Sequence, residues 1–90
     1  QTIPNASIPA ITNLNIIEVY PNPVIDYFQF ELSTEKQGSL YLFDVAGRLQ
    51  FSTMVQQGTN SVNVANLNDG LYFLKVQVVA EIWTGKMIKE

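Results

Sequence analysis

The sequence has no cysteine and no histidine. Without cysteine there is no disulfide framework and no thiolate metal site. That absence does not fix the compartment. It suits a cytosolic protein and equally an exported bacterial protein that avoids mispairing. Without histidine, the commonest general base and the commonest transition-metal ligand are both missing. Charge is scarce too. Five Lys or Arg and eight Asp or Glu make up 14% of the 90 residues, with a net charge of −3. No Lys/Arg patch is large enough to neutralise several phosphates, which argues against nucleic acid as a partner. The same balance argues against an anionic membrane surface. No apolar run approaches the length of a transmembrane segment. "QTIPNASIPAITN" lacks the basic and apolar regions of a signal peptide. The chain opens on Gln, not Met, which we read as a fragment or processed product of something longer.

What is present is a core. Hydrophobic residues are 47% of the chain, enough to argue against disorder. A domain of this size buries only roughly 60–65% of its unfolded surface, so the core must be efficient. Residues 1–15 stand apart. They hold two of the four prolines, no charge and no sustained period, and read as an extended, partly mobile linker. From residue 16 to 90 the pattern is all β. Strands are expected over 16–20, 25–32, 39–44, 48–55, 61–65, 71–79 and 82–88. Alternation places Phe28, Phe30 and Leu32 on one face, as it does Leu40 with Leu42, and Leu49 with Phe51 and Val55. Val62 goes with Val64, and Tyr72 with Leu74, Val76 and Val78. Seven such strands at regular spacing suggest an antiparallel, Ig-like Greek-key β-sandwich. In this layout 16–20, 25–32 and 61–65 share one sheet and the other four strands form the second. The last strand then pairs with 71–79 and lies at an edge, with Gly85 marking a bulge. The turn near Val79–Glu81 has neither Gly nor Pro.

Three short segments have a local reading. Pro21 and Pro23 in "PNP" cannot donate to a ladder and set a turn around Asn22. In "DVAGR", Asp44 can accept from the backbone two residues on, and Gly47 supplies a positive φ before Arg48. Asp44 is therefore read as a turn residue and not as a metal ligand. In "LNDGLY", Gly70 suits a left-handed position. Tyr72 fits a tyrosine corner, with an inward ring and a hydroxyl bonded to backbone a few residues upstream.

Chemistry is hard to find. The acids are Glu18, Asp26, Glu31, Glu35, Asp44, Asp69, Glu81 and Glu90, spread singly and with no calcium-loop spacing. The serines have no nucleophile context and no Gly-rich phosphate loop occurs. Asn5-Ala6-Ser7 matches a glycosylation sequon, a pattern common by chance. No enzyme activity and no cofactor are expected. Tyr20, Tyr27, Tyr41, Phe43 and Trp83 could line an aromatic face, as in a carbohydrate-binding module. Against that stands the strand preference of aromatic residues, which accounts for them as core or as cover for the sandwich.

"VYPNPVIDYFQFEL", "LYLFDVAGRLQ", "NVANLNDGLYFLKV" and "GKMIKE", in this order and spacing, resemble the type A C-terminal sorting domain of type IX secretion cargo in Bacteroidota. The resemblance covers residues 17–90. It implies a seven-stranded sandwich that directs a larger upstream cargo across the outer membrane. The partners it implies are the translocon and shuttle components. A sortase-like protease would then cut within residues 1–15, near Ala6–Ser7 or Ala10–Thr12. The implied location is the periplasm in transit, then the outer-membrane surface or the exterior. The recognition residues it implies are Pro21, Asn22 and Pro23, then Asp44, Gly47 and Arg48, then Gly70 and Tyr72, then Lys86 and Lys89. The sequence departs from the family pattern at Glu90, where a basic residue is usual, and at Gly85 within the last strand. On physical grounds, a terminal edge strand carrying Lys86 and Lys89 could accept a receptor strand, or the lysines could simply guard the edge. The rival class is an Ig-like interaction, carbohydrate-binding or spacer module.

Overall fold

The computed structural model describes residues 14–79 and 81–90. Among them are seven strands: β1 (Leu14–Ile16), β2 (Tyr27–Leu32), β3 (Gly38–Phe43), β4 (Leu49–Val55), β5 (Gly58–Asn63), β6 (Gly70–Val78) and β7 (Glu81–Lys89). No described residue is helical. β2 and β5 form a two-stranded antiparallel sheet. The other five form a sheet in the order β1-β7-β6-β3-β4. Residues 1–13, and the cleavage positions expected there, lie outside the described residues.

The period-two pattern decides which side chains face inward. In β2, Phe28, Phe30 and Leu32 are buried, and in β3, Leu40 and Leu42. β6 contributes Tyr72, Leu74, Val76 and Val78. These join Val62, Val64, Trp83 and Met87 in one cluster that both sheets cover. Burying a side chain of the Val, Leu, Ile, Phe or Met class stabilises the fold by roughly 1.5–3 kcal/mol relative to leaving it exposed, which is what this alternation contributes at each inward position.

The structure corrects several expectations. The large sheet is mixed, because β1 runs parallel to β7 with Leu14 opposite Ile82 and Ile16 opposite Thr84. The segment expected as one strand of the small sheet serves both sheets. Its start belongs to β1, while Tyr20 bridges Gln29 of β2 through two backbone bonds of 3.0 and 2.8 Å. Leu49 is not inward with Phe51. The register jumps from Leu42–Phe51 to Phe43–Leu49, leaving Gln50 as the extra residue, and this bulge turns Leu49 out to 53% exposure. Gly85 marks no bulge, since β6 and β7 pair without a break from Gly70–Lys89 to Val78–Glu81. The hairpin between them turns at Val79, which takes a positive φ of 53° without being glycine.

Tyr72 makes the expected corner. Its buried ring lies in the core and its hydroxyl donates to the Asn68 carbonyl at 2.7 Å, four residues upstream. Gly70, at φ 147°, has the backbone freedom this entry into β6 requires. Tyr72→Phe should lose about 0.5–1.5 kcal/mol of unfolding free energy, the worth of one such bond, with the strand content of the circular dichroism spectrum unchanged. A urea titration measures it. Equal midpoints for the variant and the parent would remove the corner from the account.

Candidate functional site

The "PNP" segment and the chain's last residues form one structural unit. Pro21 and Pro23 have no N–H, so the segment cannot run on as a regular ladder beside β2. The chain instead turns and lies along the outer edge of β7. The Val24 N–H donates to the Ile88 carbonyl at 2.7 Å, and the Glu90 N–H to the Val24 carbonyl at 2.7 Å. The Asn22 side-chain oxygen accepts the Ile88 N–H at 3.1 Å. Val24 is fully buried beneath this contact. Four residues before Ile88 on β7, the Ile17 N–H donates to the Thr84 carbonyl at 2.8 Å as β1 ends.

β7 is therefore not an edge strand, and this corrects the expected accepting edge. One side of β7 is taken by β6. The other is taken by β1 near its start and by Asn22 and Val24 near its end. The two lysines also part company. Lys86 is exposed, but Lys89 is only 6% exposed, and its ammonium donates to the Glu90 main-chain oxygen at 3.1 Å. A buried Lys89 cannot be a surface guard of an edge.

Gly85 is explained by the same contact. A Cβ there would collide with the Ile17 carbonyl oxygen. The chain leaves the large sheet for the small one at this point, and only a residue without a side chain lets it pass so close. Beside it lies an open groove of about 550 Å³, lined by Ile16–Val19, Asn22, Phe73 and Thr84–Lys86.

The hairpin of the central motif is organised by Asp44. One carboxylate oxygen accepts the Ala46 and Arg48 N–H groups at 2.9 and 3.0 Å. The other accepts Arg48 Nε at 3.2 Å and the Gln50 amide at 3.0 Å. Gly47, at φ 83°, closes the turn by donating to the Asp44 carbonyl at 2.9 Å. The hydrogen bond from the Arg48 backbone, helped by that from Ala46 and by the Arg48 charge, holds the Asp44 carboxyl below its ordinary pKa.

The strand register shows where the motifs stand relative to one another. Gly70 is opposite Lys89, and Val24 bridges Lys89 from the other side. Tyr72 is opposite Met87, and Phe43, just before Asp44, is opposite Phe73. Asn22, the Asp44–Arg48 hairpin, Gly70 and Lys89 thus all lie toward one end of the large sheet. The hairpin strand β3 is two strand spacings from β7, about 10 Å. Lys86 lies three residues back along β7, facing out beside Phe73. Sequence reasoning missed Val24, Ile17 and Gly85 as the residues that join these motifs. The only available signal was a glycine inside a strand, which indicates a bulge or a close backbone approach with equal force.

The aromatic residues do not share a face. Trp83 is in the core. Tyr41 and Phe43, alternating with buried Leu40 and Leu42, lie on the outer face of the large sheet. Tyr20 and Tyr27 are exposed on the small one. There, Tyr20 donates to the Glu31 carboxylate at 3.2 Å. Partial burial and this carboxylate raise its hydroxyl pKa.

These features define an all-β domain of two sheets whose signature segments gather around its own clasped terminal strand. The family of secretion-system C-terminal sorting domains matches residues 18–90, and the chain belongs to it. It is a sorting domain of the type IX secretion system, a domain that marks an attached cargo for export. None of the curated proteins matches the chain. No helix among the described residues is long and apolar enough to cross a membrane.

Two outcomes follow from this geometry. Gly85→Ala should cost about 1–3 kcal/mol of stability, the range for forcing extra atoms into a packed site, because the Ile17 backbone has to move away. Denaturant unfolding reads the loss, and an unchanged midpoint would mean that the close approach is not needed. The second outcome concerns acid. The lowered pKa means that the folded state favours the Asp44 carboxylate. That contribution is complete above the unfolded value of about 3.8 and is lost as the pH falls through the lower folded value. Amide exchange at Ala46 and Arg48 should therefore rise, relative to other strand ends, only below that pH. In Asp44→Asn this acid-dependent step should be absent.

Proposed function

We propose that the export machinery reads this domain as a folded end and not as a linear tail. In this reading the translocon and shuttle components contact the rim formed by Pro21–Pro23, the Asp44–Gly47–Arg48 hairpin, the Gly70–Tyr72 turn and the Lys86–Lys89 stretch. The domain, residues 16–90 together with Leu14 and Asn15 of β1, takes a Greek-key, Ig-like arrangement, and the residues before it tether it to the cargo. The cargo crosses the periplasm and the outer membrane. A sortase-like surface protease then cuts within the tether and leaves the cargo at the cell surface or outside the cell. The observation that carries this reading is that four segments far apart in sequence meet at one end of one sheet. Packing alone does not require an exposed Arg48 and an exposed Lys86 on these elements.

The test is a reporter fused upstream of residues 1–90 in a type IX-competent cell. The fusion should reach the surface or the medium, and a released fragment should begin within residues 1–15. Deleting Met87–Glu90 should leave the reporter in the periplasm. That deletion also removes the buried Met87 and Lys89, so a folded comparison is needed. The Lys86→Glu/Arg48→Gln variant changes only exposed side chains and leaves the backbone bonds to Asp44 in place, and its export should fall at least several-fold while its circular dichroism spectrum shows the fold retained. Normal export of the truncation would refute sorting by this terminus. Normal export of the double variant would refute recognition at the rim.

A further inference from the structure

The lateral edges of the large sheet are unequal. On one side β1 is three residues long. On the other β4 has seven residues and pairs only with β3, so alternate N–H and C=O groups along its outer side have no strand partner among the described residues. Edges of this kind are usually blunted by lysine, proline or distortion. β4, "LQFSTMV", contains no charge, no proline and no glycine. Its one irregularity is the bulge at Gln50, which leaves Phe51–Val55 regular. Met54 is 69% exposed on the outer face.

We propose that two copies of this chain associate through β4, antiparallel, about a two-fold axis at Thr53. The strand is complementary to itself in this register. Phe51 falls opposite the second copy's Val55 on the inner face, an aromatic and β-branched pair. Thr53 falls opposite Thr53, and on the outer face Ser52 falls opposite Met54. All of these are favourable or neutral neighbours. No charged residue occurs between Arg48 and Asp69, and Arg48 is already paired with Asp44 at 3.2 Å. Neither copy therefore brings an unpaired charge to the junction, although each carries a net charge of −3. An isologous contact of this kind closes on itself, so the product is a dimer with one continuous ten-stranded sheet and not a filament. A strand from an unrelated protein would need the same neutral, alternating pattern. A second copy supplies it with matching twist.

Sedimentation equilibrium on the 90-residue chain tests this, over about 1 μM to about 1 mM, the range of weak association. The mass should rise from 10.1 kDa toward twice that value. Ser52→Lys/Met54→Lys places like charges opposite each other and should stay monomeric. Ser52→Lys/Met54→Glu places opposite charges there and should dimerise again, more weakly as salt is added. Both positions face solvent, and circular dichroism checks that each variant folds. A parent that remains at the monomer mass throughout overturns the proposal. So does a Lys/Lys variant that dimerises like the parent, or a Lys/Glu variant that stays monomeric.

Discussion

Three backbone hydrogen bonds along the outer side of β7 hold the rest of the structure in register: Ile17 to Thr84, Val24 to Ile88, and Glu90 to Val24. A strand at the chain end with one side open would fray, and its unpaired groups would invite other chains. Here the segment that precedes the core closes that side at both ends. The small sheet depends on the same segment. Residues 17–24 cross from β7 to Gln29 of β2 and return to β7, tying the two layers together around Val24. Gly85 permits the crossing, and the two prolines end the ladder so that the return can begin.

This closure changes what a terminal signal in such a domain is. Lys89 and Met87 are inside the fold, so an extended tail carrying "GKMIKE" and the folded domain offer different surfaces. What the folded chain exposes is Lys86 with Phe73, the hairpin tip held by Asp44, and the turn before Tyr72. Each of these is a local device with its own hydrogen bonds, and the sheet sets the distances between them. A motif residue can therefore matter by holding the rim in place. Asn22 and Tyr72 bond backbone partners through their side-chain oxygens, and Asp44 divides its carboxylate between backbone N–H groups and the Arg48 and Gln50 side chains. Arg48 and Lys86 keep most of their polar atoms in water.

Much was decided by the sequence alone. Alternation in β2, β3, β5 and β6 identified the core because a period of two puts every second side chain on the buried face. Asp44, Gly47, Gly70 and Tyr72 were legible because the turn and corner hydrogen bonds and the backbone angles that define them involve residues at most four positions away. The family, too, was legible from the order and spacing of four short motifs, and it matches residues 18–90. Tertiary structure alone decided the parallel pairing of β1, the burial of Lys89, the outward turn of Leu49 and the role of Gly85. Each depends on a partner distant in sequence or on a one-residue slip in register. The bond from Ile88 to Asn22 spans 66 positions. Backbone groups pair with whatever strand lies alongside, and no side-chain pattern records which strand that is.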